Sequence, residues 1–148
     1  MPNRLLTPLT EPVYAALRIV AGLMFSFHGM QKIFGILRDS RPPVGSQLWI
    51  GGVIELVGGL LIAVGLYTIL AAIIASGTMA VAYTQFHWKF QLGSNLFPPL
   101  NKGELALTYA LVFLFIACRC LVDSRYHIEG NGVVVQVCQC TAPRNGEP

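Results

Sequence analysis

The sequence predicts an all-α fold, an integral membrane four-helix bundle with a short extramembrane C-terminal tail. Of the 148 residues, 54% are hydrophobic and only 11% are charged, whereas charged residues make up about a quarter of an ordinary soluble domain. Four apolar runs have the roughly 20 residues that a helix needs to cross the hydrocarbon core. Short polar breaks separate these runs, so lipid is the predicted environment of most of the chain.

The predicted membrane domain covers residues 13–121 and follows a polar N-terminal segment at residues 1–12. The first apolar run is too long for the h-region of a cleaved signal peptide, which favours a retained helix. Residues 122–148 form the predicted polar tail, in which 133–137 is a candidate short strand. The predicted spans are residues 13–35, 48–66, 68–86 and 103–121.

The breaks between the spans differ in kind. Residues 37–46 contain several charges and the pair Pro42-Pro43, which stops a helix and must face water. Residues 65–68 allow only a tight turn, so the second and third spans are expected to form an antiparallel hairpin. The longest internal loop is 87–102. Lysines and arginines divide almost equally between the two sides, so the positive-inside rule gives no orientation.

The ionisable side chains to explain inside the predicted spans are Arg18, His28, Lys32 and Glu55. Each needs a physical reason, because a charge at the centre of a span costs about 2.5–3.5 kcal/mol. Helical spacing places Arg18, Gly29 and Lys32 on one stripe of the first helix, with His28 beside it.

Glu55 lies one helical turn from Gly51 and Gly59, and small residues let helix backbones approach closely. Glu55 is therefore predicted to point into a helix contact. His28 lies at a similar depth of roughly 10 Å, so the two are expected to meet. Arg18 lies toward the opposite surface, from which it would either extend toward Glu55 or snorkel outward.

The sequence predicts that these polar groups converge on one half of the membrane. The candidate catalytic cluster is His28, Lys32, Glu55 and His87, and the candidate quinone contacts are His28, Tyr83 and His87, since imidazole titrates near neutrality. Two histidines on different helices are not a metal signature, so no metal site is predicted. The alternative interpretation is that the same groups form only hydrogen bonds and an ion pair that hold the bundle together.

Asn101 and Glu104 have the spacing of a helix capping box, and a carboxylate near a helix start also suits the helix dipole. Capping is favoured over chemistry for this pair.

The four cysteines lie late in the chain as two Cys-x-Cys pairs, Cys118 with Cys120 and Cys138 with Cys140. Residues two apart on a helix point away from each other, and this spacing is not that of a zinc ribbon or a thioredoxin-like motif. Unpaired or structural thiols are favoured over a redox or metal role. The net charge of +3 comes from scattered cations, which argues against nucleic acid as a partner.

The chain resembles the DoxX family of small four-helix membrane proteins across residues 13–121. The resemblance is carried by the order of four elements: Arg18–Lys32, Gly51–Gly59 with residues 60–65, His87, and Phe97–Glu104. Carried over by position, the polar signature of the family falls on Arg18, His28, Gly29, Lys32, Glu55, His87, Asn101 and Glu104. The segment Cys118–Ser124 departs from the usual family ending, so the cysteines lie outside the resemblance.

The resemblance implies a component of a quinone-linked redox or oxidative-stress-associated complex in a bacterial or archaeal cytoplasmic membrane. It implies a protein partner besides the lipid bilayer, and quinone as the expected cofactor. Whether the chain is itself an oxidoreductase subunit stays open, as does its oligomeric state. The alternative is a non-enzymatic membrane assembly factor or scaffold, and a small transporter is less favoured because no span is clearly broken.

Overall fold

The computed structural model describes residues 9–37, 41–91, 93 and 97–124, with side chains as far as residue 121. The candidate strand at 133–137, Cys138 and Cys140 lie outside the described residues.

The described residues form helices only. Four helical segments are long and apolar enough to cross a membrane, which confirms the predicted all-α four-helix membrane fold. A short helix precedes the last span. The helices are α1 (Thr10–Phe34), α2 (Gln47–Val64), α3 (Thr68–Ala82) continued by a π-helical segment (Tyr83–Trp88), α4 (Pro98–Asn101) and α5 (Glu104–Ser124).

Polar caps and left-handed residues set the ends of α1 and α2. Gly35 ends α1 with φ 69° and Gly65 ends α2 with φ 88°, a backbone region that glycine adopts at little cost. The Ser46 hydroxyl accepts a hydrogen bond from the Trp49 N–H at 3.3 Å and caps the start of α2. Tyr67 is also left-handed, with φ 47°, and α3 begins at the next residue. Helices α2 and α3 thus form an antiparallel hairpin.

The third span changes helix type near its end. Beyond Ala82 the chain continues as a π-helix to Trp88, a form that is rare and often found at functional sites. The Thr84 hydroxyl donates to the carbonyls of Ala80 and Val81 at 3.1 and 3.0 Å, so a side chain shares the backbone acceptors at this point. Lys89, with φ 54°, ends the segment.

Helices α1 and α2 pack through glycines. A Cβ added at Gly22 would lie 2.7 Å from the Gly59 carbonyl oxygen, and one added at Gly29 would lie 2.6 Å from that of Gly52. Any larger residue there would push the backbones apart. The prediction that Gly51 belongs to this face is wrong, because a Cβ at Gly51 would meet nothing within 4 Å. Gly52 and Gly59 are seven residues, or about two helical turns, apart, so both face α1, whereas Gly51 points about 100° away from Gly52.

The core lies where α1 and α3 meet α5. Phe25 of α1 packs against Phe113 and Tyr109, with ring centroids 4.7 and 5.5 Å apart. On α3, the Ser76 hydroxyl donates to the Ala110 carbonyl at 2.7 Å. Ser76 therefore joins α3 to α5.

A second set of polar contacts joins the start of α1 to the end of α5. Glu11 forms an ion pair with Arg119, whose guanidinium lies 5.9 Å from the centre of the Tyr14 ring. Arg18 is buried in the same half of the bundle, where a Cβ on Gly65 would lie 2.8 Å from its Nη1. The guanidinium thus lies beside the α2–α3 turn, toward the surface opposite Glu55, so of the two expected alternatives for Arg18 the structure favours the outward direction. Because Gly65 has no side chain, the α2–α3 turn leaves room for the Arg18 guanidinium.

Candidate functional site

The polar residues of interest lie at one end of the bundle, where α1 and the π-helical segment end and where α2 and α5 begin. We call this the loop end, and the opposite end the turn end. At 1.5 Å per residue, Glu55 lies about 12 Å below the start of α2, and Lys32 lies about 3 Å from the end of α1. Tyr109 lies about 8 Å below the start of α5, which puts it at a depth between the two.

Glu55 is buried at the contact between α1 and α2, with 1% of its surface exposed. Its Oε1 forms an ion pair with Lys32 Nζ. The close glycine contact at Gly29 and Gly52 brings the two helices near enough for a lysine near the end of α1 to reach across. The Lys32 side chain is 22% exposed, so the pair runs from the buried carboxylate toward the loop end.

The second carboxylate oxygen of Glu55 has no donor among the described residues. Oε2 is buried and has no hydrogen-bond partner within the part of the chain that the structure describes. A buried acceptor left unsatisfied costs about 1–3 kcal/mol, so its presence calls for an explanation such as a bound group or a catalytic role. A further polar side chain on this side of the bundle is that of Tyr109 on α5.

His28 reaches this site through Tyr109. Its ring packs edge-on against the Tyr109 ring with centroids 6.1 Å apart, and its Nδ1 lies 3.3 Å from Gln31 Oε1. The expected direct contact of His28 with Glu55 is therefore not formed. His28, Lys32, Glu55 and Tyr109 together are called the Glu55 cluster.

His87 belongs to a separate group with Tyr83 and Asn101, called the His87 cluster. Its Nδ1 lies 3.1 Å from the Asn101 carbonyl oxygen; since a carbonyl only accepts, this nitrogen carries the proton. The Asn101 amide donates to the Tyr83 hydroxyl at 3.4 Å, and the Tyr83 and His87 rings stack with centroids 6.5 Å apart.

The prediction that His87 joins Glu55 is thus wrong. Helix α3 packs mainly on α5, and its π-helical end directs Tyr83 and His87 toward the start of that helix. Gly103 lies directly beneath Tyr83, since a Cβ there would be 2.7 Å from the ring.

The predicted capping box takes a different form. Asn101 Oδ1 accepts a hydrogen bond from the Gly103 N–H at 2.7 Å, and α5 begins at Glu104. Asn101 therefore caps the turn before the helix, and Glu104 is the first helical residue instead of the third. The left-handed Lys102, with φ 59°, makes this turn tight. Glu104 still lies in the first turn, where a carboxylate suits the helix dipole.

The two described cysteines lie at the turn end, away from both clusters. Cys118 is an exposed free thiol, whereas the Cys120 sulfur is buried 3.1 Å from the Tyr14 hydroxyl. Their opposite exposure follows from a spacing of two on a helix.

Sequence reasoning missed Tyr109, whose ring packs against His28. The inward face of α5 could have been recognised from the sequence, because apolar and aromatic residues recur there at helical spacing. They are Ala106, Tyr109, Phe113, Ile116 and Cys120. It also missed the Glu11–Arg119 ion pair, because Glu11 lies at the polar start of the first span.

The fold and its buried polar groups define an integral membrane protein with four spanning helices. The sequence model of the DoxX family matches residues 13–88, which hold α1, α2, α3 and the π-helical segment. An uncharacterized protein of Haemophilus influenzae is 40% identical over 120 residues, which cover 76% of this chain and 89% of that relative. The chain belongs to the DoxX family. No solved structure matches it.

Proposed function

We propose that the protein is the membrane component of a quinone-linked redox system, and that the Glu55 cluster binds the quinone headgroup and exchanges protons with it. The observation that supports this most directly is the unpartnered Oε2 of Glu55. A buried carboxylate oxygen without a donor suits a hydroxyl hydrogen of the reduced headgroup. The resemblance to the DoxX family, which implies a component of a quinone-linked complex, also supports a quinone as the ligand.

The cluster offers groups for both oxidation states of a quinone. Glu55 accepts a hydrogen bond from a hydroquinone hydroxyl, whereas the Lys32 ammonium and the Tyr109 hydroxyl donate to a quinone carbonyl. Reduction of a quinone takes two electrons and two protons. In this proposal a partner redox subunit supplies the electrons, and Glu55 and His28 relay the protons from the loop end.

The His87 cluster contributes at the membrane surface. His87 uses Nδ1 to bind Asn101, which leaves Nε2 as an acceptor facing away from that bond. Tyr83 and His87 present stacked rings on which a planar headgroup can pack. We place this cluster on the entry path of the headgroup.

The test is binding of a short-chain quinone analogue to the purified full-length protein in mild detergent. Wild-type protein is expected to bind, and Glu55→Gln and His28→Ala are expected to weaken binding by about tenfold or more. Glu104→Gln is the matched control, because it makes the same chemical change at an exposed position of the loop end. Absence of binding to wild-type protein, or equal binding by all the variants, would overturn the proposal.

A non-enzymatic scaffold is the second candidate, and the two interhelical ion pairs favour it. Lys32–Glu55 and Glu11–Arg119 each tie α1 to another helix. A scaffold predicts that Glu55→Gln lowers the amount of protein in the membrane while the partner's activity falls only in proportion. Activity of the partner complex per copy of this chain, measured in native membranes, separates the two candidates.

A further inference from the structure

A groove of about 510 Å³ lies between α2 and α3, on a side of α2 away from Glu55. Its lining from α2 includes Val57, Gly58 and Leu61, and that from α3 includes Leu70 and Ile74. Both walls are membrane-spanning helices, so the groove faces hydrocarbon. Its volume lies within the range of small-molecule sites, about 300–1,000 Å³.

Gly58 keeps the groove open. A Cβ at this position would meet only the Ala71 carbonyl oxygen, at 4.0 Å. Helices α2 and α3 are therefore not in close backbone contact here, unlike α1 and α2. An aliphatic wall gives water no hydrogen-bond partner, so the groove is suited to hydrocarbon.

Tyr67 lines one end of the groove through its ring. It stands at the turn end, one residue before α3 begins, where an interfacial tyrosine is typical. Its left-handed backbone fixes the ring beside the turn, and its hydroxyl makes no hydrogen bond to another described residue. An aliphatic groove thus ends beside a tyrosine at the membrane surface, and this order of apolar and polar groups is that of an amphiphile.

We infer that this groove holds one acyl chain of a membrane phospholipid, with the ester or headgroup oxygens beside Tyr67. A phospholipid of the leaflet at the turn end enters with this orientation. A quinone bound at the Glu55 cluster has its headgroup at the loop end and on a different face of α2. The groove is therefore a second site, independent of the proposed redox site.

The test is the phospholipid retained by full-length protein purified in mild detergent, counted by native mass spectrometry after detergent washing. Wild-type protein is expected to keep a phospholipid, and Gly58→Leu is expected to reduce retention by about tenfold. Gly51→Leu is the control: it makes the same change on the same helix at a position with nothing within 4 Å and outside the groove. Any gain in helix propensity is equal in the two variants.

Tyr67→Phe keeps the ring and the fold and removes only the hydroxyl, so it tests the site even where Gly58→Leu fails to fold. It is expected to lower retention several-fold. The inference is overturned by equal retention in wild type, Gly58→Leu and Tyr67→Phe, or by loss of lipid from wild type on the first wash. A retained quinone in place of phospholipid overturns it, and so does a wild-type dimer that Gly58→Leu converts to monomer.

Discussion

The ion pair of Lys32 and Glu55 is asymmetric, and this asymmetry determines what each substitution does. The Glu55 side chain is 2% exposed and the Lys32 side chain is 22% exposed. A lysine without its partner can extend toward the headgroups, whereas a carboxylate without its partner stays buried. Removing the lysine is therefore strongly destabilising, because it leaves the buried carboxylate without a compensating charge.

Lys32→Met is therefore expected to lower the free energy of unfolding by about 2–4 kcal/mol, and Glu55→Gln by clearly less. The double variant Lys32→Met/Glu55→Gln is expected to recover most of the loss, because no charge is left buried. Unfolding in increasing denaturing detergent, followed by circular dichroism, measures all three. Equal losses in the two single variants, or a double variant as unstable as their sum, would contradict this account.

At the level of single residues, part of the site could be predicted from the sequence. The glycine-flanked position of Glu55 indicated that it faces a helix contact, and it does. Its depth suggested His28 as the partner, whereas the structure pairs it with Lys32, because depth along a helix does not fix rotation about it. The separation of His87 followed from the π-helical segment, which local sequence does not reveal.

At the level of helices, glycine has two opposite roles in this bundle. At Gly29 it permits the close approach of α1 to α2. At Gly77 of α3 an added Cβ would meet nothing within 4 Å, so that glycine is not required by packing. A matched pair of substitutions separates the two roles.

Gly29→Ala is expected to destabilise the protein by about 1–3 kcal/mol, since the methyl group would press on the Gly52 and Leu56 backbone. Gly77→Ala is expected to be neutral or to stabilise by up to about 1 kcal/mol through helix propensity. The same detergent unfolding experiment measures both variants. A loss of similar size in Gly77→Ala would show that the glycine contact is not specific to α1 and α2.

The four spans were predictable because length and hydropathy determine what lipid accepts. The faces of the helices were harder to predict, as Gly51 and its neighbour Gly52 illustrate. A shift of one residue rotates the contact by about 100°, and both glycines suit a small-residue face. Which one meets α1 depends on the whole arrangement of the bundle.

At the scale of the whole molecule, four spans place both ends of the described chain on one side of the membrane. Residues 41–46 and the described residues between 89 and 103 then lie together on the other side, with the exposed Arg41, Lys89 and Lys102. Because the total charge asymmetry is small, the orientation rests on few residues. Whichever orientation the chain adopts, four spans determine which loops and ends share a side of the membrane.

A topology reporter inserted after Gly45 or after Gly93 is therefore expected to give the same signal, and a reporter at the C-terminus the opposite one. The measurement is paired fusions to alkaline phosphatase, active outside the cytoplasm, and to a fluorescent protein, bright inside it. A C-terminal reporter that agrees with the one after Gly45 would mean that one of the four helices does not cross the membrane.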